Sequence, residues 1–355
     1  MARLPNPEIR EFILQGVAEN PTSIATLAAQ KFGLTRTGIA RYMTRLLTEG
    51  LLTAEGNTRG RRYKLKPLVR FDKLLELNGR WNEGTVWREQ IRPLMGQSKP
   101  NIIDLFQYGF TEMLNNVIDH SQSANVLISY EQNYTTIVIT ILDLGVGIFN
   151  KIKNDFRLED AQTALLELSK GKITSDKRNH SGEGIYFTSR MFDQFSILSG
   201  HLFYSRTRRE DDDWLTESID KDENRRGTFI TMRINTNADW TPRDVFDKYQ
   251  GEDIYFRKTH VPIALGRYPG EQLVSRSQAK RILTRFPDFA EVILDFGGVN
   301  EIGQPFADEI FRVFKNEHPG TMLVAANTNE QIERMIKYVQ SNGDNTTLPL
   351  PFDQA

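Results

Sequence analysis

Residues 106–120, FQYGFTEMLNNVIDH, constrain the fold most. Phe106, Phe110, Met113, Leu114, Val117 and Ile118 recur at helical spacing, so one side of a helix must be buried. Glu112, Asn116 and His120 stand four apart, which stacks them one turn above another on a single face. A helix with an apolar back then presents a carboxylate, an amide and an imidazole in a row. Taken alone, such a stripe reads better as a solvated helix face; the segments downstream change that reading.

Val126–Tyr130 and Thr136–Leu142 are β-rich runs separated by polar turn residues, which predicts an antiparallel hairpin. The second strand ends in DLGVG, with Asp143, Gly145 and Gly147. Glycines just after a buried strand permit a tight backbone and close ligand approach. Gly182 and Gly184 then open an apolar helical run, GEGIYFTSRMF, and the N–H groups of a helix start suit phosphate. A last strand begins Gly227-Thr228 in RRGTFITMRI.

In this order and spacing, E-x-x-x-N-x-x-x-H, D-x-G-x-G, G-x-G and G-T-x-F resemble the GHKL superfamily of ATP-binding domains, which includes DNA gyrase, histidine kinases and MutL. The stripe helix is most similar to those of the anti-sigma-factor serine kinases and histidine kinases. The resemblance covers residues 80–235. It implies an α+β, Bergerat-type sandwich that takes ATP and Mg2+. It also implies roles residue by residue. Asp143 would accept a hydrogen bond from the adenine amino group, and Gly145 and Gly147 would let the backbone wrap the base. Asn116 would hold the Mg2+, and Glu112 would be the general base. Gly182 and Gly184 would cradle phosphate beneath a lid over residues 150–181, with Lys170 and Lys172 in that lid. Thr228 would support the adenine end. His120, at the far end of the stripe, is counted with the nucleotide-binding residues without a defined role.

SKGKIT at 169–174 lacks the earlier glycine of a P-loop and no strand leads into it, so it is not one. No histidine precedes His120, which argues against an autophosphorylating histidine kinase. The charged stretch 206–226 is expected to be a hairpin extension in water.

Residues 1–66 hold eleven Lys and Arg against five Asp and Glu, an excess of six positive charges in a chain whose net charge is −1. That asymmetry suggests an anionic partner. Ser23 is placed to cap a helix to Phe32, Gly33 breaks it, and Thr35 caps a second helix that Gly50 ends. In that second helix Ile39, Met43, Leu46 and Leu47 face inward, leaving Arg36, Arg41 and Arg45 outside. LLTAEGNTRGRRYKL then predicts two strands around a turn carrying Arg59, Arg61 and Arg62. The segment resembles a winged helix-turn-helix, with the arginine helix placed for the major groove of double-stranded DNA and the wing against phosphates. Residues 67–100 read as a helical connector, 101–235 as the ATP-binding domain and 236–253 as a polar linker.

Over 254–355, strands and helices alternate, which implies an α/β layer. This part resembles a STAS-like domain, the fold of anti-sigma-factor antagonists. In those proteins the loop after the central strand carries a phosphorylatable serine. Here that loop, GGVNEIGQPFADE, has no Ser or Thr, which puts that phosphorylation in doubt and leaves Gly303, Gln304, Asp308 and Glu309 as a contact surface or as helix caps.

The expected protein is therefore multidomain: winged helix, GHKL ATP-binding domain, STAS-like module. No cysteine is present, which excludes disulfides and thiolate metal sites. No apolar run reaches the ~18 residues of a spanning helix, and a cytoplasmic protein is the simplest expectation. The function expected is an ATP- and Mg2+-driven switch with slow hydrolysis, coupled to DNA and to a protein partner reached through the STAS-like module. The alternatives are a serine/threonine protein kinase acting on a separate protein, and a DNA-binding protein whose ATP fold is inactive. The oligomeric state stays open.

Overall fold

The computed structural model describes residues 6–57, 60–172, 182–208, 212–217, 226–250, 258–268 and 271–341. The chain begins with three helices, α1 Pro7–Gly16, α2 Ile24–Phe32 and α3 Arg36–Thr48, and an antiparallel hairpin, β1 Leu52–Glu55 with β2 Arg62–Leu65. The sequence reading missed α1, although Pro7 at its first turn and the Asn6 side chain accepting from Glu8 N–H mark its start. Gly33 ends α2 in the left-handed conformation, and Thr35 Oγ1 accepts from Gly38 N–H at 3.1 Å to start α3. Ile9, Ile13 and Leu14 of α1 join Ile39, Met43 and Leu46 in a small core of their own.

Residues 69–76 are a strand, β3 Val69–Glu76, where the sequence suggested helix. This strand pairs antiparallel with β4 Asn125–Gln132 and forms one edge of a seven-stranded sheet. The sheet's other strands are β5 Thr136–Asp143, β6 Gln194–Ser199, β7 Leu202–Thr207, β8 Asp212–Glu217 and β9 Thr228–Asn235, in the order β3-β4-β5-β9-β6-β7-β8, antiparallel throughout. Between β3 and β4 run the short helix α4 Glu83–Val86 and the long helix α5 Pro100–His120. Ile102, Leu105, Phe106, Phe110, Met113, Leu114 and Val117 of α5 are buried. Each such burial stabilises by roughly 1.5–3 kcal/mol, against under ~1 kcal/mol for helix propensities, so the apolar side fixes how α5 lies.

The region expected as a lid is helical where described: α6 Ile148–Phe156 and α7 Ala161–Lys170. Residues 173–181 lie outside the described residues. α8 Gly184–Met191 crosses α5. The expected linker at 236–253 holds a packed helix instead, α9 Pro242–Gln250, whose Val245 and Tyr249 are buried. β8 does extend the sheet as a hairpin, but Arg206 of β7 is buried rather than in water, and its Nη2 donates to Tyr249 OH at 3.2 Å.

The C-terminal part is a three-stranded parallel sheet, β10 Lys258–Pro262, β11 Glu291–Asp295 and β12 Met322–Ala326, in chain order. α10 Arg276–Leu283 connects the first pair. α11 Gln304–Asp308 and α12 Lys315–Glu317, joined by a π-turn, connect the second. α13 Glu330–Ser341 follows, with Asn329 Oδ1 accepting from Ile332 N–H. The molecule is thus a multidomain α/β protein with one antiparallel and one parallel main sheet. Its middle and C-terminal parts share a continuous core.

Candidate functional site

Along β5, side chains alternate, and Ile137, Ile139 and Ile141 point into the core. Asp143 continues that row, so the strand delivers a carboxylate to the buried face. The register sets Asp143 opposite Thr228 of β9, and Thr228 opposite Ser199 of β6. Three polar residues therefore lie abreast across adjacent strands, at the end of an otherwise apolar face. Ile148 N–H donates to both Ser199 Oγ and Thr228 Oγ1 at 3.1 Å, which seats the start of α6 on this row.

The loop after β5 is pinned to the end of α5. Val146 N–H donates to Ser121 O at 2.8 Å, and a Cβ on Gly145 would collide with that same carbonyl oxygen. Gly145 N–H donates to Asp143 Oδ1 at 2.8 Å. Burial pushes the Asp143 carboxyl above its ordinary pKa, while the Gly145 N–H and Thr228 pull it back.

Between α5, α6, α8 and the sheet lies a pocket of about 260 Å³. Glu112, Asn116, His120, Asp143, Gly147, Gly182, Gly184 and Thr228 all line it. Gly145 does not line it and instead shapes the loop behind Asp143. The α5 stripe faces this pocket along its length. Its Asp143 end is polar and closed by the sheet; its Gly184 end is the first turn of α8. There the Glu112 carboxylate lies against the Gly184 backbone, where any Cβ would collide with it. One turn before Glu112, Tyr108 packs its ring against Phe246 of α9, outside the pocket lining. Burial, then the charges of Glu112 and Glu183, raise the Tyr108 hydroxyl well above its ordinary pKa.

Several lining residues were missed. Lys151 and Asp155 on α6 line the pocket and pair at 2.6 Å. The pair is partly exposed, so it stabilises by no more than ~1 kcal/mol. Its i,i+4 spacing reads in sequence as an ordinary solvated pair. Phe156 of α6 and Leu168 of α7 complete the apolar wall. Lys170 and Lys172, expected in a cationic lid, both face the C-terminal domain. The Lys170 ammonium donates to Thr284 O at 2.8 Å and that of Lys172 to Asp288 O at 3.1 Å. Among the described residues no group of three or more His, Asp or Glu side chains is arranged to hold a metal.

On the N-terminal part, Arg36, Arg41 and Arg45 are exposed on α3, and Arg61 and Arg62 on and beside β2. Arg45 Nε is held by Glu49 at 2.7 Å, and Glu49 also pairs with Arg10 at 2.9 Å. Arg59 lies outside the described residues. Thr37, Ala40 and Thr44 share the outer groove of α3 with Arg41. In the C-terminal part, Asp308 binds Arg312 in a two-pronged pair, and Glu309 lies 3.7 Å from Lys280. Both acidic residues are thereby engaged within the domain. No described helix is long and apolar enough to cross a membrane.

A family model described as a STAS-like domain of unknown function (DUF4325) matches residues 278–333. The match runs from within α10 through β11, α11 and β12 into α13, so the C-terminal part of the chain holds a STAS-like domain. A search of the curated proteins finds no match.

Proposed function

We propose that the protein is an ATP-binding regulator, in which Mg·ATP occupies the α5–α8 pocket of a GHKL-type domain, a winged helix binds double-stranded DNA, and the STAS-like domain meets a protein partner. One observation carries the nucleotide reading. Eight residues from four separated segments, chosen for their motif spacing, line a single pocket. The donor set suits the ligand chemically. Asp143 is a buried acceptor at the closed end, as an exocyclic amine requires. The lining also has an amide, a lysine and a helix start, as phosphates require. With no three-ligand metal cluster among the described residues, Mg2+ would be held by Asn116 together with phosphate oxygens. Glu112 faces the phosphate end, where a carboxylate repels polyphosphate in the ground state. Its presence there is better explained by chemistry than by binding.

Calorimetry of the full chain with Mg·ATP tests this. Binding is expected in the wild type and not in Asp143→Asn, which keeps the acceptor for Gly145 N–H. Unchanged affinity in the variant would refute the pocket assignment. Labelled ATP then separates the chemistries: released phosphate supports a hydrolytic switch, and a labelled protein supports a serine/threonine kinase.

A further inference from the structure

α7 is fastened to the C-terminal domain at both ends. At its start, the Tyr268 hydroxyl donates to Asp160, the residue that caps α7. Next to it, Gln162 Nε2 donates to Arg267 O at 2.7 Å. At its end, the buried Lys170 ammonium pairs with Glu167 at 2.5 Å and donates to Thr284 O at 2.8 Å. The Thr259 hydroxyl donates to Lys170 O at 2.7 Å. Arg285 closes the joint, reaching Glu167 at 3.3 Å, Gly171 O at 3.1 Å and Lys172 O at 2.6 Å. Arg285 does this from a left-handed backbone conformation, φ +62°, which costs energy in any residue other than glycine and persists only where its surroundings hold it.

The other side of α7 belongs to the pocket. Leu168 lines it, and α7 packs on α6, which supplies Ile148, Lys151, Ile152 and Phe156. One helix is therefore shared between the pocket wall and the C-terminal domain, with polar bonds on the C-terminal side and apolar contacts on the pocket side. A buried, hydrogen-bonded joint of this kind has few alternative arrangements, because each undone bond leaves a desolvated polar group.

We infer that the STAS-like domain regulates the nucleotide site by holding the α6–α7 wall in its binding position through Arg285, Thr259 and Tyr268. The inference rests on the nucleotide reading above. Docking of α7 lowers the ordering cost that nucleotide would otherwise meet. By reciprocity, bound nucleotide tightens the joint by the same factor. A partner that seizes the STAS-like domain at this joint would release nucleotide, and nucleotide would oppose that partner.

The test uses the full chain and Mg·ATP. Arg285→Asn removes the guanidinium while tolerating the left-handed backbone. Tyr268→Phe deletes one hydroxyl and carries the test should the first variant fail to fold. Arg312→Ala, whose side chain binds Asp308 away from α7, is the control. Affinity for Mg·ATP is expected to fall roughly 5-fold or more in the first two and to stay unchanged in the control. In the wild type, Mg·ATP should slow hydrogen exchange at both 161–172 and 284–288. Wild-type binding with no loss in either joint variant overturns the inference and leaves the nucleotide reading standing. No binding by the wild type overturns both.

Discussion

At the scale of single residues, Asp143 and Lys170 are buried charges with opposite consequences. Burial raises the Asp143 pKa, so the folded chain holds this proton more tightly than the unfolded one. That contribution to stability is present at low pH and lost as pH rises through the raised value. Wherever the carboxyl is ionised, its burial works against folding. Asp143→Asn is expected to melt no lower than the wild type while losing ATP, measured by thermal denaturation beside calorimetry; a marked drop in Tm would mean that Asp143 is structural. Burial pulls Lys170 down to about 8 from its ordinary 10.5, against the opposing pull of Glu167. The folded chain then binds fewer protons between these values, so stability rises with pH across that window and is lost as pH falls through about 8. Relative to Lys170→Met, the wild-type Tm should climb from pH 8 to pH 10; a flat difference would show a lysine of ordinary pKa. Glu112→Ala should retain Mg·ATP binding but lose turnover by ~10²-fold or more, as for a general base, whereas Asn116→Ala should weaken the Mg-dependent part of binding. Equal loss of binding in both would mark the stripe as structural. Asp143 was legible in sequence through the D-x-G-x-G stretch that closes a β-rich run. Lys151 was not, since only the fold turns its side of α6 toward the pocket.

At the scale of elements, helices with a strong apolar periodicity were readable and edge elements were not. α3 and α5 bury most of the residues expected of them, with Leu47 and Ile118 only half-buried. β3 was misread as helix because an edge strand has one neighbour and only Leu75 of it is fully buried, so its alternation is faint. α9 reads as a polar linker in sequence because its buried Val245 and Tyr249 are set among charges. Lys170 and Lys172 are not placed by sequence because their partners lie far along the chain. Thr284 and Lys170 are 114 residues apart, a distance at which no local pattern signals contact. For α3, the proposed DNA contact makes a graded prediction. Arg41→Glu should weaken binding to duplex DNA and flatten the plot of log affinity against log salt by about one unit of slope, the signature of a lost phosphate contact. Gel-shift titrations over a salt series measure both, and binding that ignores salt would rule the helix out as the DNA face.

At the scale of the whole molecule, the two ends are joined to the middle in different ways. The N-terminal part has a separate core and meets the sheet mainly at its β4–β5 turn, where Tyr134 OH bonds Glu11 Oε2 at 3.1 Å. A chain lacking residues 1–65 is therefore expected to keep its Mg·ATP affinity and lose its DNA affinity; loss of nucleotide binding would show that the two cores depend on each other. The C-terminal part shares a core with the middle, so it should unfold together with it in a single calorimetric transition. The α7 joint also imposes an order on biosynthesis. Its two sides are separated by 89 to 118 residues. At about 5–20 residues per second, a ribosome needs on the order of ten seconds to deliver the second side after the first. During that interval the nascent chain carries a finished N-terminal domain beside a half-built pocket wall, with Glu167 and Lys170 still in water. A chain cut short before Thr284 would thus keep the N-terminal core and its proposed DNA face while lacking the proposed control of the pocket.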